Sequence, residues 1–182
     1  MRTDAVRPEI FDHILAALMP ENETAMRISL ATGLRIDDVL ALRTQQLQRT
    51  TNNRITVRER KTGKTKRVYL PQALLTDALK SAGEIYVFPH RTDCRRHRTR
   101  QAVWKDLKRA AALFRISASL NVAPHSARKI YACEAFKKTG DMRKVQELMN
   151  HADPTTTALY IMAEEIANRK TGGRKDPRRK RK

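Results

Sequence analysis

The sequence predicts a mainly α (α+β) fold, about seven helices with one small antiparallel β-hairpin. Apolar residues recur at helical spacing along most of the chain, and they alternate with polar ones in a single stretch between Ile55 and Leu70. Proline, glycine and asparagine stand where the period changes, which marks the ends of elements. With 182 residues, 40% of them hydrophobic, there is enough material for one ordinary core.

Glu9 to Leu18 carries Ile10, Phe11, Ile14, Leu15 and Leu18 on one face and reads as a helix ended by Pro20. Glu23 to Ala31 is a second helix, stopped by Thr32-Gly33, and a third begins at Ile36 with Val39 and Leu40. Asn52-Asn53 is a turn. Ile55 and Val57, then Val68 and Leu70, alternate about the turn Lys61-Thr-Gly-Lys64, so this stretch is the hairpin, closed by Pro71. Ile85 to Phe88 is a short apolar run. Ala102 to Phe114 is a helix through Val103, Leu107, Ala110 and Ala111. Pro124 opens the next, since a first-turn proline loses no hydrogen bond, and Gly140 closes it. Asp141 caps Met142 to Met149, and Asp153-Pro154 begins a last helix that runs to about Asn168.

Lys and Arg number 38 against 19 acidic residues, a net charge of +19, which points to a polyanionic partner and away from a small acidic substrate. No run of 18 apolar residues is present and the N-terminus lacks an apolar leader core, so neither a spanning helix nor a secretory signal is expected. Cys94 and Cys133 cannot make a disulfide framework, which suits free thiols in a reducing cytoplasm. The basic charge is not confined to one amphipathic helix, so nucleic acid is the expected partner and a membrane surface is not.

The charge lies in three places. Arg169 to Lys182 holds nine basic side chains and no apolar one, so residues 169–182 are expected to be a disordered tail, either a phosphate-binding arm or a solubility or localisation tail. Arg54 to Arg67 holds seven basic residues and one acid, and Arg91 to Arg100 holds five arginines. Neither cluster interleaves aromatics, so duplex phosphates fit better than stacked single strands. The candidate DNA contacts are Arg58, Arg60, Lys64 and Lys66 in the first cluster, and Arg95, Arg96, Arg98 and Arg100 in the second.

Several side chains could carry chemistry. His125 and Arg128 share a face at a helix N-terminus, where they form either an anion site or an ordinary surface pair. Tyr160 sits at the edge of the apolar stripe Leu159, Met162, Ala163, Ile166, as a core-flanking residue or as a nucleophile. A phenol has a reference pKa of about 10, so the second role requires positive charge nearby. His151 ends its helix nine residues earlier, and Arg35 precedes Asp38 by one turn, the spacing of a simple ion pair. His125 and His151 have no third ligand at useful spacing, so no metal site is expected. No phosphate-binding glycine loop is present, so no cofactor is expected either.

Taken together these residues resemble a known family. Ala31-Thr-Gly-Leu-Arg-Ile-Asp-Asp-Val-Leu-Ala-Leu-Arg43 resembles the first signature box of the tyrosine recombinases, the phage integrase family. Pro124-His-Ser-Ala-Arg128 resembles the second. Val145 to His151 followed by Thr155-Thr-Thr-Ala-Leu-Tyr160 resembles the remainder, and Lys61 to Pro71 is similar to the family's lysine-bearing hairpin. The likeness runs in order from about Glu9 to Ile166. It departs at Ala127 and Lys129, where the family usually has Leu and His, and at Asn150, where it usually has Gly.

The resemblance implies a catalytic domain over residues 1–168. It implies a site-specific recombinase or integrase that cleaves and rejoins double-stranded DNA through a 3′-phosphotyrosine, without ATP or metal. Arg35 and Arg128 are then the phosphate clamp, Lys61 the general acid, and Tyr160 the nucleophile. His125 assists proton transfer, His151 bonds the phosphate, and Asp38 supports the pocket. The same active-site logic serves type IB topoisomerases, so relaxation alone is one alternative, and a DNA-binding module of the same fold without catalysis is another. The family works as a tetramer on DNA, with a monomer conceivable when free. It usually has an N-terminal DNA-clamping domain, so the chain is expected to be either a minimal recombinase or an excised catalytic domain.

Overall fold

The computed structural model describes residues 6–114 and 121–150, together with Ala158. Eight helices and one two-stranded sheet lie among them: α1 Pro8–Ala16, α2 Pro20–Thr32, α3 Ile36–Leu40, α4 Thr44–Gln48, β1 Arg54–Arg58, β2 Thr65–Tyr69, α5 Gln72–Lys80, α6 Arg100–Leu113, α7 His125–Thr139 and α8 Met142–Met149. The mainly helical expectation with one hairpin agrees with this.

Pro20 does not end α1. It stands in the first turn of α2, where its missing N–H costs nothing, and α1 has already stopped at Ala16. Two helices are additional to those the sequence predicts. α4 has five residues, too short to display a period. α5 buries Leu75 and Ala78 behind Pro71. The run Ile85 to Phe88 makes only an isolated bridge, Arg43 to Tyr86, with Val87 N–H donating to Leu42 O at 3.0 Å. Of the expected last helix only Ala158 is among the described residues, where it is helical; its tyrosine and the basic tail lie outside them.

α2 is the central helix and touches α1, α3, α5 and α7. Phe11, Ile14 and Leu15 of α1 close one side of the core, with Met26 and Ile28 of α2, Val103 and Leu107 of α6, and Leu34, Leu40 and Leu42 around the α3 segment. Burying each such side chain is worth about 1.5–3 kcal/mol. In the hairpin Arg54 pairs with Tyr69 and Arg58 with Thr65; Ile55, Val57 and Val68 face inward, with Leu70 buried just beyond the second strand. That register sends the turn between the strands past the C-terminal end of α2.

Asp141 caps α8 by accepting from the N–H groups of Arg143 and Lys144, as the sequence predicts. The helix ends on Asn150 at φ +49°. Asparagine tolerates the left-handed region better than other side-chain-bearing residues, so it can stand where the resemblance expects glycine.

Candidate active site

The site is organised by the turn that ends α2. Gly33 adopts φ +67°, and its N–H donates to Ser29 O at 2.9 Å. Ser29 Oγ donates to Leu34 O at 2.7 Å, so the chain reverses within two residues and leaves Arg35 extended at the start of α3. A Cβ at Gly33 would come within 2.5 Å of the Tyr131 ring on α7. Glycine is therefore required twice here, for its backbone angle and for the close approach of α7.

Four segments converge on this turn. From α7, Arg128 donates through Nη1 to Gly33 O and through Nη2 to Met149 O, and its side chain is buried. From β2, Lys66 Nζ donates to Thr32 O at 3.0 Å and lies 5.7 Å from the centroid of the Tyr131 ring. From the end of β1, the fully buried Glu59 accepts through Oε2 from Arg35 Nη1 at 2.6 Å and from Thr62 Oγ1 at 2.8 Å. From α3, Asp38 Oδ1 accepts from Arg60 N–H at 2.9 Å. A buried charge is tolerated only when paired, and here three cations, Arg35, Lys66 and Arg128, crowd two carboxylates.

Burial and crowding shift Lys66, His125, Glu59 and Asp38. Burial, then the charge of Arg128, lowers Lys66 to about 8. His125 is lowered to about 4 by desolvation first, then by Arg128, Lys129, Arg35 and Lys61. Its ring has solvent access at the start of α7, which softens the desolvation, and the four cations act in the same direction. Burial pushes Glu59 up, but the hydrogen bonds from Thr62 and Arg35 outweigh it and hold the carboxyl below its ordinary value. Asp38 is raised: burial and the Glu59 charge overcome the Arg60 N–H bond.

Arg35, Asp38, Arg128 and His125 thus stand around one turn, and Lys61 is near enough for its charge to act on His125. Lys61 itself is exposed in the hairpin turn. Of the candidate DNA contacts, Arg58, Arg60, Lys64, Arg95, Arg96 and Arg100 are exposed. Two are placed differently. Lys66 is half-buried against Thr32 O, and Arg98 bonds Asn22 Oδ1 at 3.0 Å, with Glu21 at 3.8 Å. His151 and Tyr160 lie outside the described residues. Among the described residues no group of three or more His, Cys, Asp or Glu side chains could hold a metal.

Glu59 is the site residue that sequence reasoning missed. It reads locally as the lone acid in a basic run, and its partner Arg35 is 24 positions away. The one available signal was its place at an inward-facing register position beyond Ile55 and Val57, where a carboxylate needs a buried counter-charge.

The model of the phage integrase family matches residues 5–165. The tyrosine recombinase XerD of Rhizobium meliloti (strain 1021) is 29% identical over 158 residues, 82% of this chain and 49% of that protein. The XerD of Lacticaseibacillus casei is 39% identical over 62 residues, 34% of this chain and 20% of that protein. The chain spans about half or less of the length of these curated relatives. Among solved structures, the XerH site-specific recombinase bound to a palindromic difH substrate in a post-cleavage complex superposes with a TM-score of 0.70 at 18% identity, covering 93% of this chain and 53% of that one.

Proposed function

The chain belongs to the phage integrase family, the tyrosine recombinases, and on that premise we propose that it cleaves and rejoins double-stranded DNA through a 3′-phosphotyrosyl intermediate on Tyr160. The observation that carries this reading is the convergence of Arg35, Asp38, His125 and Arg128 on the single turn at the end of α2, with the Lys61 hairpin turn beside it. Similarity of that order in sequence could arise in a degenerate relative. A cation-rich centre that holds two carboxylates buried is costly to maintain without an anion to bind.

In the proposed reaction Arg35 offers its open edge to the non-bridging oxygens of the scissile phosphate, and Arg128, buried and held on Gly33 O and Met149 O, adds its positive charge; together they stabilise the pentacoordinate transition state. The Tyr160 oxygen attacks phosphorus while the bond to the 5′-oxygen breaks. The phenolic proton passes to His125, which is neutral at pH 7 and regains basicity from the negative charge of the bound phosphate. Lys61 delivers a proton to the leaving 5′-oxygen, and His151 bonds a non-bridging oxygen. Attack by a 5′-hydroxyl reverses each transfer and reseals the strand, so bond energy is conserved and neither nucleotide nor metal is required. The exposed cations Arg58, Arg60, Lys64, Arg95, Arg96 and Arg100 hold the duplex, and Asp38 fixes the hairpin turn through the Arg60 N–H. Recombination on this scheme uses four protomers on two duplexes, in the cytoplasm where the DNA lies. No helix among the described residues is long and apolar enough to cross a membrane.

The test is incubation with supercoiled plasmid in EDTA without nucleotide, quenched with detergent. Relaxation and covalent protein–DNA adducts are expected, both lost in Tyr160→Phe. Adducts that survive that substitution defeat the proposal. Relaxation without recombinant product on any paired-site substrate would favour a topoisomerase-like activity.

A further inference from the structure

We propose that Glu59 is a positioning residue: it fixes the plane of the Arg35 guanidinium toward the phosphate and couples that plane to the turn that carries Lys61. The role rests on the DNA cleavage proposed for this site.

Glu59 sits where the two groups meet. Its backbone closes the hairpin turn, with its own N–H donating to Lys64 O at 2.9 Å and its carbonyl accepting from Gly63 N–H at 2.8 Å. Its side chain then bridges outward from that turn. One oxygen holds Thr62, the neighbour of Lys61, and the same oxygen holds Arg35 at 2.6 Å. Asp38, three residues after Arg35, accepts the Arg60 N–H through Oδ1, while the Arg35 guanidinium donates to Glu59, the carboxylate that engages it. Arg35 keeps 17% of its side-chain surface open, so a guanidinium anchored at one nitrogen presents its remaining donors outward. A planar fork pinned on one edge has its other edge aimed, which is what a two-oxygen phosphate contact needs.

The ionised state needed for this is maintained, since the hydrogen bonds from Thr62 and Arg35 hold the Glu59 carboxyl below its ordinary value. Without the carboxylate Arg35 regains its rotamer freedom, and the Lys61 turn loses its link to the arginine. A displacement of about 1 Å at a reacting group can cost on the order of a hundredfold in rate.

The experiment compares the full chain with Glu59→Gln, Glu59→Asp and Thr62→Val. The first readout is the side-chain 15N spectrum of the arginines, with Arg35→Lys to assign the signal. In the wild type the Arg35 guanidinium is expected to show slowed rotation and hydrogen exchange. Glu59→Gln is expected to abolish that signature while the amide spectrum stays native. The second readout separates binding from chemistry: Glu59→Gln lowers the rate of adduct formation on supercoiled plasmid by roughly ten- to a hundredfold and leaves the Kd for the same DNA within about twofold. Glu59→Asp, which keeps the charge, recovers part of the rate. If Glu59→Gln does not fold, Thr62→Val keeps the carboxylate and cuts its tie to the turn, and roughly a threefold loss of rate is expected. A rigid Arg35 signal in Glu59→Gln, or a rate unchanged in both Glu59→Gln and Thr62→Val, overturns the proposal. If the wild type forms no adduct, the cleavage reading itself fails, and the Arg35 signal alone decides whether Glu59 positions the arginine.

Discussion

The two ends of helix α2 each hold a network built on buried carboxylates, and those carboxylates are satisfied to different degrees. At the N-terminal end Asp106 accepts from Met19 N–H at 2.8 Å and Asn22 Nδ2 at 2.7 Å on one oxygen, and from Arg109 Nε and Nη2 at 3.0 and 2.7 Å on the other. Burial alone would raise its pKa, yet those bonds lower it. At the C-terminal end Glu59 Oε1 and Asp38 Oδ2 are buried with no hydrogen-bond partner among the described residues, and three cations crowd together. A carboxylate with both oxygens taken, like that of Asp106, fixes geometry and has nothing left to offer a ligand. A network left short of partners, with surplus charge of one sign, gives up stability and keeps a capacity for binding.

The sharpest way to break this contrast is Arg35→Ala. Adduct formation is expected to fall by roughly 10²–10³-fold, and urea unfolding to show a loss of about 2–4 kcal/mol because Glu59 is left buried without its hydrogen-bonded cation. The double change Arg35→Ala with Glu59→Ala is then expected to regain most of the stability and none of the adducts. Recovery of adducts in the double variant would mean that the C-terminal network serves only the fold.

Asp106→Ala addresses the other end. It strands the Met19 N–H and the Asn22 amide, and about 2–4 kcal/mol of stability is expected to go, with the adduct yield per folded molecule unchanged. A parallel fall in adducts would show that the two ends act as one unit. Gly33→Ala combines a left-handed backbone angle with the overlap on Tyr131, and about 1–3 kcal/mol should be lost by thermal unfolding. A neutral outcome there would place α7 farther from the turn than described.

The last test is a titration. NMR of the His125 ring is expected to give a midpoint near 4 in place of 6.5. Over that interval the unfolded chain binds a proton that the folded chain refuses. The corresponding stability is present in full above pH 6.5 and is lost as pH falls toward 4. His125→Asn should flatten this part of the stability profile, and a midpoint at or above 6.5 would show that the cations do not act together on the ring.

Much of this was legible in the sequence, and the misses have physical reasons. Pro124, Gly33, Gly140, Asp141 and Asn52-Asn53 are residues whose own covalent geometry dictates the local backbone, so each marked its cap or turn without reference to the rest of the chain. α5 could have been found, because Leu74, Leu75, Ala78 and Leu79 repeat the spacing seen in α1. α4 could not. Glu59 and Lys66 were legible as charges but not as site residues, since what buries them is contact with residues 24 and 34 positions away. Arg98 is the converse case: it reads as one more arginine of a basic cluster, and the fold spends it on Asn22, 76 positions distant.

Arg128 reaches carbonyls 95 positions before it and 21 after it, at Gly33 and Met149. A guanidinium held at both ends by remote parts of the chain is oriented only when the α2 turn, α7 and the end of α8 are all docked. Under the cleavage proposed for this site, a partly folded copy would have no oriented Arg128 and so no assembled centre, because completing the fold and setting this guanidinium are the same event.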